Sequence, residues 1–415
     1  MKIVVFNVKY SENLGDGLLA ECVETALRNR SDHIEVETID LAGRQGYGTG
    51  RSGQRRYVLK LLQRLPVFAR QRLVRFMLER KLRKLHDQWD AKIAAADAVV
   101  IGGGNLFQDD DLNFPLKVGQ VLDCVCRHNR PLAIYAVGVS EHWSAEGYDL
   151  FARLKHAHLV HLSVRDGFAQ DNWRGHFPDG PAAKIVRDPG LLVRAISGEA
   201  GHAPLSTRQP TIGLCVTDPM ILRRHASGDI SKIPFCNIGD YRDLIGLFLD
   251  DGYRVILFCN GAGEDQIFAE HIRNSVSTHR VVGAGMLHLA ERPRIPDDLI
   301  RILHSTDVIL AHRLHACIAA YALRLPHVGL GWDRKVEGFF NSVGRESYFV
   351  NDAASPPARI AWLLKAAESE GIEALRHRAT LAEAEAGIAN MRRHLIGDNW
   401  HAVHQVQSDG RHVIL

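Results

Sequence analysis

Arg313 and His315 stand two residues apart where an apolar run, 308–311, gives way to the small-residue stretch "HACIAAYA". In an extended chain residues two apart project to one side, which places these two side chains together and turns His312 and Leu314 to the opposite face. The small residues read as a helix able to pack closely on a sheet, and its N-terminus offers free N–H groups and partial positive charge. Arg313 adds a permanent cation whose fork suits carboxylate or phosphate. His315 adds a proton donor that titrates near neutrality. Together they suit a small, strongly anionic ligand whose reaction needs an acid; His312 reads as structural. The plainer alternative is that Arg313 pairs with a buried acid and both histidines satisfy backbone groups.

Other stretches could complete such a site. "NLGDG" (13–17) follows the first apolar run, and "GGGN" (102–105) ends another. Glycines there allow close backbone approach by a ligand, although they also serve plain turn geometry. "SVRD" places Arg165 and Asp166 at a strand end, "RDPG" (187–190) ends the next, and "GWDRKVEGFF" offers Lys335. Asp166 reads equally as a base on a hydroxyl and as the structural partner of Arg165.

These residues need elements to position them. Short, continuously apolar runs such as "KIVVFNV", "DAVVIGGGN", "LAIYAVGVS" and "LVHLSVRD" alternate with helical patterns, as expected for parallel sheets covered on both faces. The polar segment 195–210 interrupts the series, which restarts at "TIGLCVT" (211–217) and continues through "YRVILFCN", "DVILAH" and "PHVGLGW". The expected fold is therefore α/β, two Rossmann-like domains facing a cleft. Ligands bind outside the carboxyl ends of the strands in such sheets. From Pro356 to Asn399 the pattern is helical, a tail expected to cross back onto the first domain.

Composition narrows the class. The chain of 415 residues is 46% hydrophobic and 24% charged, with a net charge of +3, which does not suggest a nucleic-acid binder. Seven scattered cysteines without zinc-type spacing indicate neither a disulfide framework nor a zinc finger. "KHAHLVHLS" brings His156, His158 and His161 close in sequence, but no carboxylate or cysteine completes a ligand set, so no metal is expected. Asp109, Asp110 and Asp111 read as a solvated loop rather than a grip on sugar hydroxyls. The N-terminus lacks a signal peptide's core and cleavage site, and nothing approaches a membrane span. A cytoplasmic location is expected, at most peripheral to the inner face of a membrane.

Between Arg44 and Lys84 stand thirteen Lys or Arg and one acid, Glu79. The apolar residues among them have rough helical period, so the segment could lie on an anionic membrane surface. The reading favoured here is a solvated insertion that packs its stripe on its own domain.

Taken in order, "NLGDG", "GGGNLFQD", "YAVGVS", "SVRD", "DPGLL", "HRLHACIAA" and "WDRKVEGFF" resemble the polysaccharide pyruvyl transferase family over residues 1 to about 340. The resemblance implies a GT-B-like fold: an acceptor-side domain (1–195, with the basic insertion 44–92), a linker (196–210), a donor-side domain (211–355) and a helical tail (356–415). It implies transfer of pyruvate from phosphoenolpyruvate, as substrate and without a further cofactor, onto two hydroxyls of a sugar. The acceptor would belong to a cell-surface polysaccharide or its polyprenyl-linked precursor. His315 would be the acid, with Arg313 and Lys335 on the donor; Asn13, Gly15, Asp16, Gly103, Gly104, Asn105 and Arg165 are the substrate-binding candidates. Family members often carry an arginine where this chain has Thr217 and Asp218, and Arg223 or Arg224 could substitute. A glycosyltransferase using a nucleotide sugar is the alternative on the same fold.

Overall fold

A computed structural model describes residues 1–28, 33–48, 66–197, 209–225, 231, 233–276 and 285–397. Its frame is two sheets of six parallel strands. The first is built from β1 (Lys2–Asn7), β2 (Glu35–Asp40), β3 (Ala98–Phe107), β4 (Leu132–Val139), β5 (Leu159–Val164) and β6 (Lys184–Ile185), in the order β2-β1-β3-β4-β5-β6. The second holds β7 (Thr211–Val216), β8 (Arg254–Cys259), β9 (Leu287–Leu289), β10 (Val308–Ala311), β11 (His327–Leu330) and β12 (Phe349–Val350), in the order β12-β11-β10-β7-β8-β9. Strand order reverses beside β1 in the first sheet and beside β7 in the second, which opens a crevice at the carboxyl end of each. Every residue of β4, β7 and β10 is buried, as strands covered on both faces require.

Helices supply the covers. The first, Leu14–Arg28, buries Leu14, Leu18, Leu19, Cys22, Val23 and Leu27. Its apolar core runs without a break into the second sheet, whereas the other face of the first sheet holds a separate core around Trp89, Phe107 and Trp173. The helix Leu314–Ala322, almost wholly buried, owes its close packing to its alanines. The last helix, Ala374–Ile396, joins the two halves. His377 Nε2 lies 3.2 Å from the Ala322 carbonyl, while Glu383 takes a hydrogen bond from Arg187 Nε at 2.7 Å and His394 meets His161 at 3.1 Å.

The basic segment forms a 28-residue helix, Val67–Ala94. Its C-terminal half buries Leu82, Trp89 and Ile93 against the first sheet; nearer its start Leu73, Phe76 and Met77 are exposed. Residues 49–65 lie outside the described residues. Among the described residues no helix is long and apolar enough to cross a membrane.

Candidate active site

Arg313 is the N-cap residue of the helix Leu314–Ala322, and His315 sits in its first turn. The Arg313 side chain, 12% exposed, donates from Nη2 to Asp265 Oδ2 at 2.5 Å, and Asp265 is fully buried. Asp265 also accepts the Asp218 N–H at 2.8 Å. Burial works against the charge on each member. The pairing outweighs it for Arg313, which is raised above its ordinary value, whereas burial prevails at Asp265, whose carboxyl is raised. Arg313 thus braces β10 against the helix Gly263–Val276, as the plainer reading of the sequence allowed.

His315 is different. Its Nε2 is buried and makes no hydrogen bond among the described residues. Burial first, then the charges of Arg165, Lys335 and Arg313, push the imidazole down to about 3. Gly15 lies directly against it, and a Cβ added there would collide with Nδ1 and Cβ of His315. His312 faces the other way, fully buried, with Nε2 2.9 Å from the Pro234 carbonyl, as its position predicted.

The "NLGDG" loop meets the second sheet rather than open space. Leu14 N–H donates to the Asn260 carbonyl at 2.9 Å and Asn260 Nδ2 to Asn13 Oδ1 at 2.5 Å. Gly261 fits beneath Leu14 with a left-handed φ of 100°, where a Cβ would meet the Glu12 carbonyl at 2.5 Å. Asp16 is half-buried in this seam, its carboxyl raised by desolvation against the pull of Ser11, Arg44, Arg313 and Lys335.

Two cavities share a wall made of Arg165, Asp166, Phe168 and Lys335. The smaller, about 180 Å³, reaches Asn105, Ser140, Asp333 and Arg334. The larger, about 870 Å³, runs between the halves past Val186, Asp188, Leu191, Ile318 and Phe339 to Gly387 of the last helix. Arg165, 7% exposed, pairs with Asp166 at 3.2 Å and lies against Gly138. Asp166 also caps the helix Gly167–His176 by accepting the Ala169 N–H at 2.8 Å, so both its oxygens are occupied and the structural role has the stronger footing. Lys335 reaches Asp333 Oδ2 at 3.0 Å and lies 4.6 Å from the centre of the Trp332 ring. Burial lowers its ammonium below the usual range, against the pull of Asp333.

The structure therefore gathers Asn105, Arg165, Asp166 and Lys335 on the cavity wall, with His315 in electrostatic reach of Arg165 and Lys335. Asn13, Gly15 and Asp16 form the seam beside it. Gly103 and Gly104 line neither cavity. Both adopt left-handed φ in an irregular stretch of β3, where a Cβ would make only ordinary contacts with Leu19, Val23 and Pro189, so the backbone conformation rather than close packing calls for glycine. The histidine run does not converge: His156 and His158 are exposed, while His161 is buried on Ser163 and His394. Among the described residues no group of three or more His, Cys, Asp or Glu could hold a metal ion. Asp109 is tied to the Leu112 and Ser144 N–H groups and the Ser144 hydroxyl. Thr217 is buried, Arg223 is exposed, and the side chain of Arg224 lies outside the described residues. Sequence reasoning missed Asp265 and Asn260. Asn-Gly directly after a buried strand was the available signal for the second, and an acid on the next helix for the first.

Comparison with known sequences supplies the decisive observation: the family profile named polysaccharide pyruvyl transferase matches residues 13–334. The chain belongs to this family. Its match begins at Asn13 and ends at Arg334, next to Lys335, so it spans both halves of the cleft. No curated protein matches the chain. Among solved structures it is similar to a UDP-GlcNAc 2-epimerase from Neisseria meningitidis bound to UDP-GlcNAc, with a TM-score of 0.56 and 9% identity over 95% of this chain and 100% of that one. A second UDP-GlcNAc 2-epimerase, from Methanocaldococcus jannaschii, gives 0.55 and 10% identity over 96% of this chain and all of its own. At such identities the likeness establishes the fold, a GT-B-like pair of α/β domains, and this family member shares it.

Proposed function

We propose that this transferase moves pyruvate from phosphoenolpyruvate onto two hydroxyls of a sugar, forming a cyclic ketal and releasing phosphate. The observation that carries the reading is His315 Nε2, buried, without a hydrogen bond among the described residues, and flanked by the charges of Arg165 and Lys335. Phosphoenolpyruvate resists attack at C2 until its methylene carbon takes a proton, and an imidazolium at that carbon supplies it. The resulting oxocarbenium-like centre then accepts a sugar hydroxyl. Arg165, Lys335 and the N–H groups at the start of the helix Leu314–Ala322 would hold the carboxylate and phosphate as charge gathers on the leaving group.

The low His315 value comes from burial and from the cations around it. A donor carrying several negative charges cancels the neighbouring cations, which favours the protonated ring the reaction needs. Arg313 then acts on the donor at one remove, by fixing the helix that presents His315. The larger cavity is of a size for a sugar and part of a lipid-linked precursor; the family name suggests a polysaccharide acceptor, and a cell-surface one belongs to this proposal. A peripheral hold on the inner face of a membrane through the helix Val67–Ala94 belongs to the same proposal.

Calorimetric titration of phosphoenolpyruvate beside a panel of nucleotide sugars tests the reading, with Arg165→Ala as the site control. Losing one charge-assisted contact of about 1.5–3 kcal/mol weakens phosphoenolpyruvate binding by roughly ten- to a hundredfold. Binding of a nucleotide sugar in place of phosphoenolpyruvate favours the glycosyltransferase alternative and rejects this one.

A further inference from the structure

Asp188 occupies a position that the reading above leaves unused. It lies between β6 and a short 3-10 turn, Pro189–Leu192, which it caps through one bond: Oδ1 accepts the Gly190 N–H at 2.9 Å. Gly190 is wedged between the two halves, and a Cβ there would meet Ile318 at 3.0 Å and Leu19 at 3.1 Å. That wedge fixes the carboxyl relative to both sheets. Asp188 is only 8% exposed, lines the larger cavity, and its Oδ2 is buried with no hydrogen bond among the described residues. Leaving a buried carboxylate oxygen without a donor costs free energy, a cost that a hydroxyl entering the cavity would relieve.

We infer that Asp188 is the base that receives a proton from the acceptor sugar, with Oδ2 bonded to the attacking hydroxyl. The inference rests on the proposed pyruvyl transfer. In the first addition the acceptor O–H breaks and its oxygen bonds to C2 of phosphoenolpyruvate. The hydroxyl proton passes to Asp188, and the π pair takes the His315 proton at the methylene carbon. In the second addition the C2–O bond to phosphate breaks, its electron pair leaves on phosphate, and a second hydroxyl takes its place. Two hydroxyl protons are released; one replaces the proton His315 gave up and the other departs with phosphate.

The surroundings suit a base poised near neutrality. Burial raises the Asp188 carboxyl to about 6, against the attraction of Arg165 and with the repulsion of Asp166. Cys22 of the first helix and Tyr135 of β4 feel its charge, while Asp171, Arg187, Lys335 and Glu383 share its cavity. Above that value Asp188 is ionised and ready; below it the proton blocks the step.

The test measures phosphate release from phosphoenolpyruvate against pH, using the full chain and methyl glycosides of galactose, glucose and mannose as acceptors. Asp188→Asn keeps an oxygen for the Gly190 N–H, and an unchanged melting temperature verifies the fold. The expected result is a fall in wild-type kcat below about pH 6, and in the variant a loss of about 10²–10⁴-fold together with that acid limb. Asp188→Glu restores part of the rate. Retention of the acid limb in Asp188→Asn, or a rate within threefold of wild type, overturns the assignment while leaving pyruvyl transfer standing. No phosphate release by the wild type with any of the three glycosides overturns both.

Discussion

Arg165 and Arg313 stand at the carboxyl ends of strands in different sheets, both nearly buried and both paired with an acid, yet they are built for different ends. The acid beside Arg313 is fully buried and anchored by a backbone N–H, and neither residue lines either of the two cavities described. The acid beside Arg165 is 23% exposed and spends one oxygen on a helix cap, and both residues line both cavities. The closed pair spends Arg313 Nη2 on Asp265 and leaves Nε buried without a hydrogen bond among the described residues. The open pair keeps a face toward the space where a ligand would lie. Charge alone does not mark a binding arginine; what else its partner holds, and whether space adjoins it, decides.

That contrast predicts its largest effect at the closed pair. Arg313→Ala strands Asp265 as an uncompensated buried acid and destabilises the fold by about 3–5 kcal/mol, read as a shift of the urea midpoint. The double variant Arg313→Ala with Asp265→Ala recovers part of that loss; a double variant no more stable than Arg313→Ala alone would break the comparison. Loss of ligand binding in the single variant reports this unfolding before it reports any contact with the ligand.

A smaller effect belongs to the seam. Gly15→Ala pushes a methyl group into His315, and overpacking of this kind costs about 1–3 kcal/mol. Because the displaced ring is the proposed acid, turnover should fall further than thermal stability does. A normal kcat in a destabilised protein would detach His315 from the chemistry.

The finest distinction is in protons. Free His315 sits at about 3, held down by burial and then by Arg165, Lys335 and Arg313. An anion bound among those cations moves it back toward its ordinary 6.5, so binding takes up a proton. Affinity then falls as pH rises from about 3 toward the bound-state value, by at most about tenfold per unit, and levels off above it. Titrations in buffers of different ionisation heat measure the uptake, and His315→Asn subtracts the ligand's own protonation. Equal uptake in both proteins would remove the imidazole from the exchange.

The fold was largely legible in the sequence because its signals are local. β-branched runs buried on both faces need no partner to be recognised, and a polar linker separates their two series. The site was legible in part. "HRLH" announced itself because an arginine and two histidines are costly beside buried strands. Their roles were not readable, since the partner of Arg313 is 48 residues away on another helix. The parts of Gly103 and Gly104 were not readable either, since a glycine required by a positive φ and one selected for ligand approach look the same in sequence.

By itself, then, the sequence determined two parallel-sheet units, the residue types gathered at their strand ends, and the family to which the chain belongs. Tertiary structure alone decided that Arg313 pairs with Asp265, that Gly15 closes over His315, and that Asp188 stands on the cavity wall with a buried oxygen that takes no hydrogen bond among the described residues. The physical reason is that a charge's worth depends on what surrounds it, solvent or partner or neither, and those surroundings come from segments far apart in the chain.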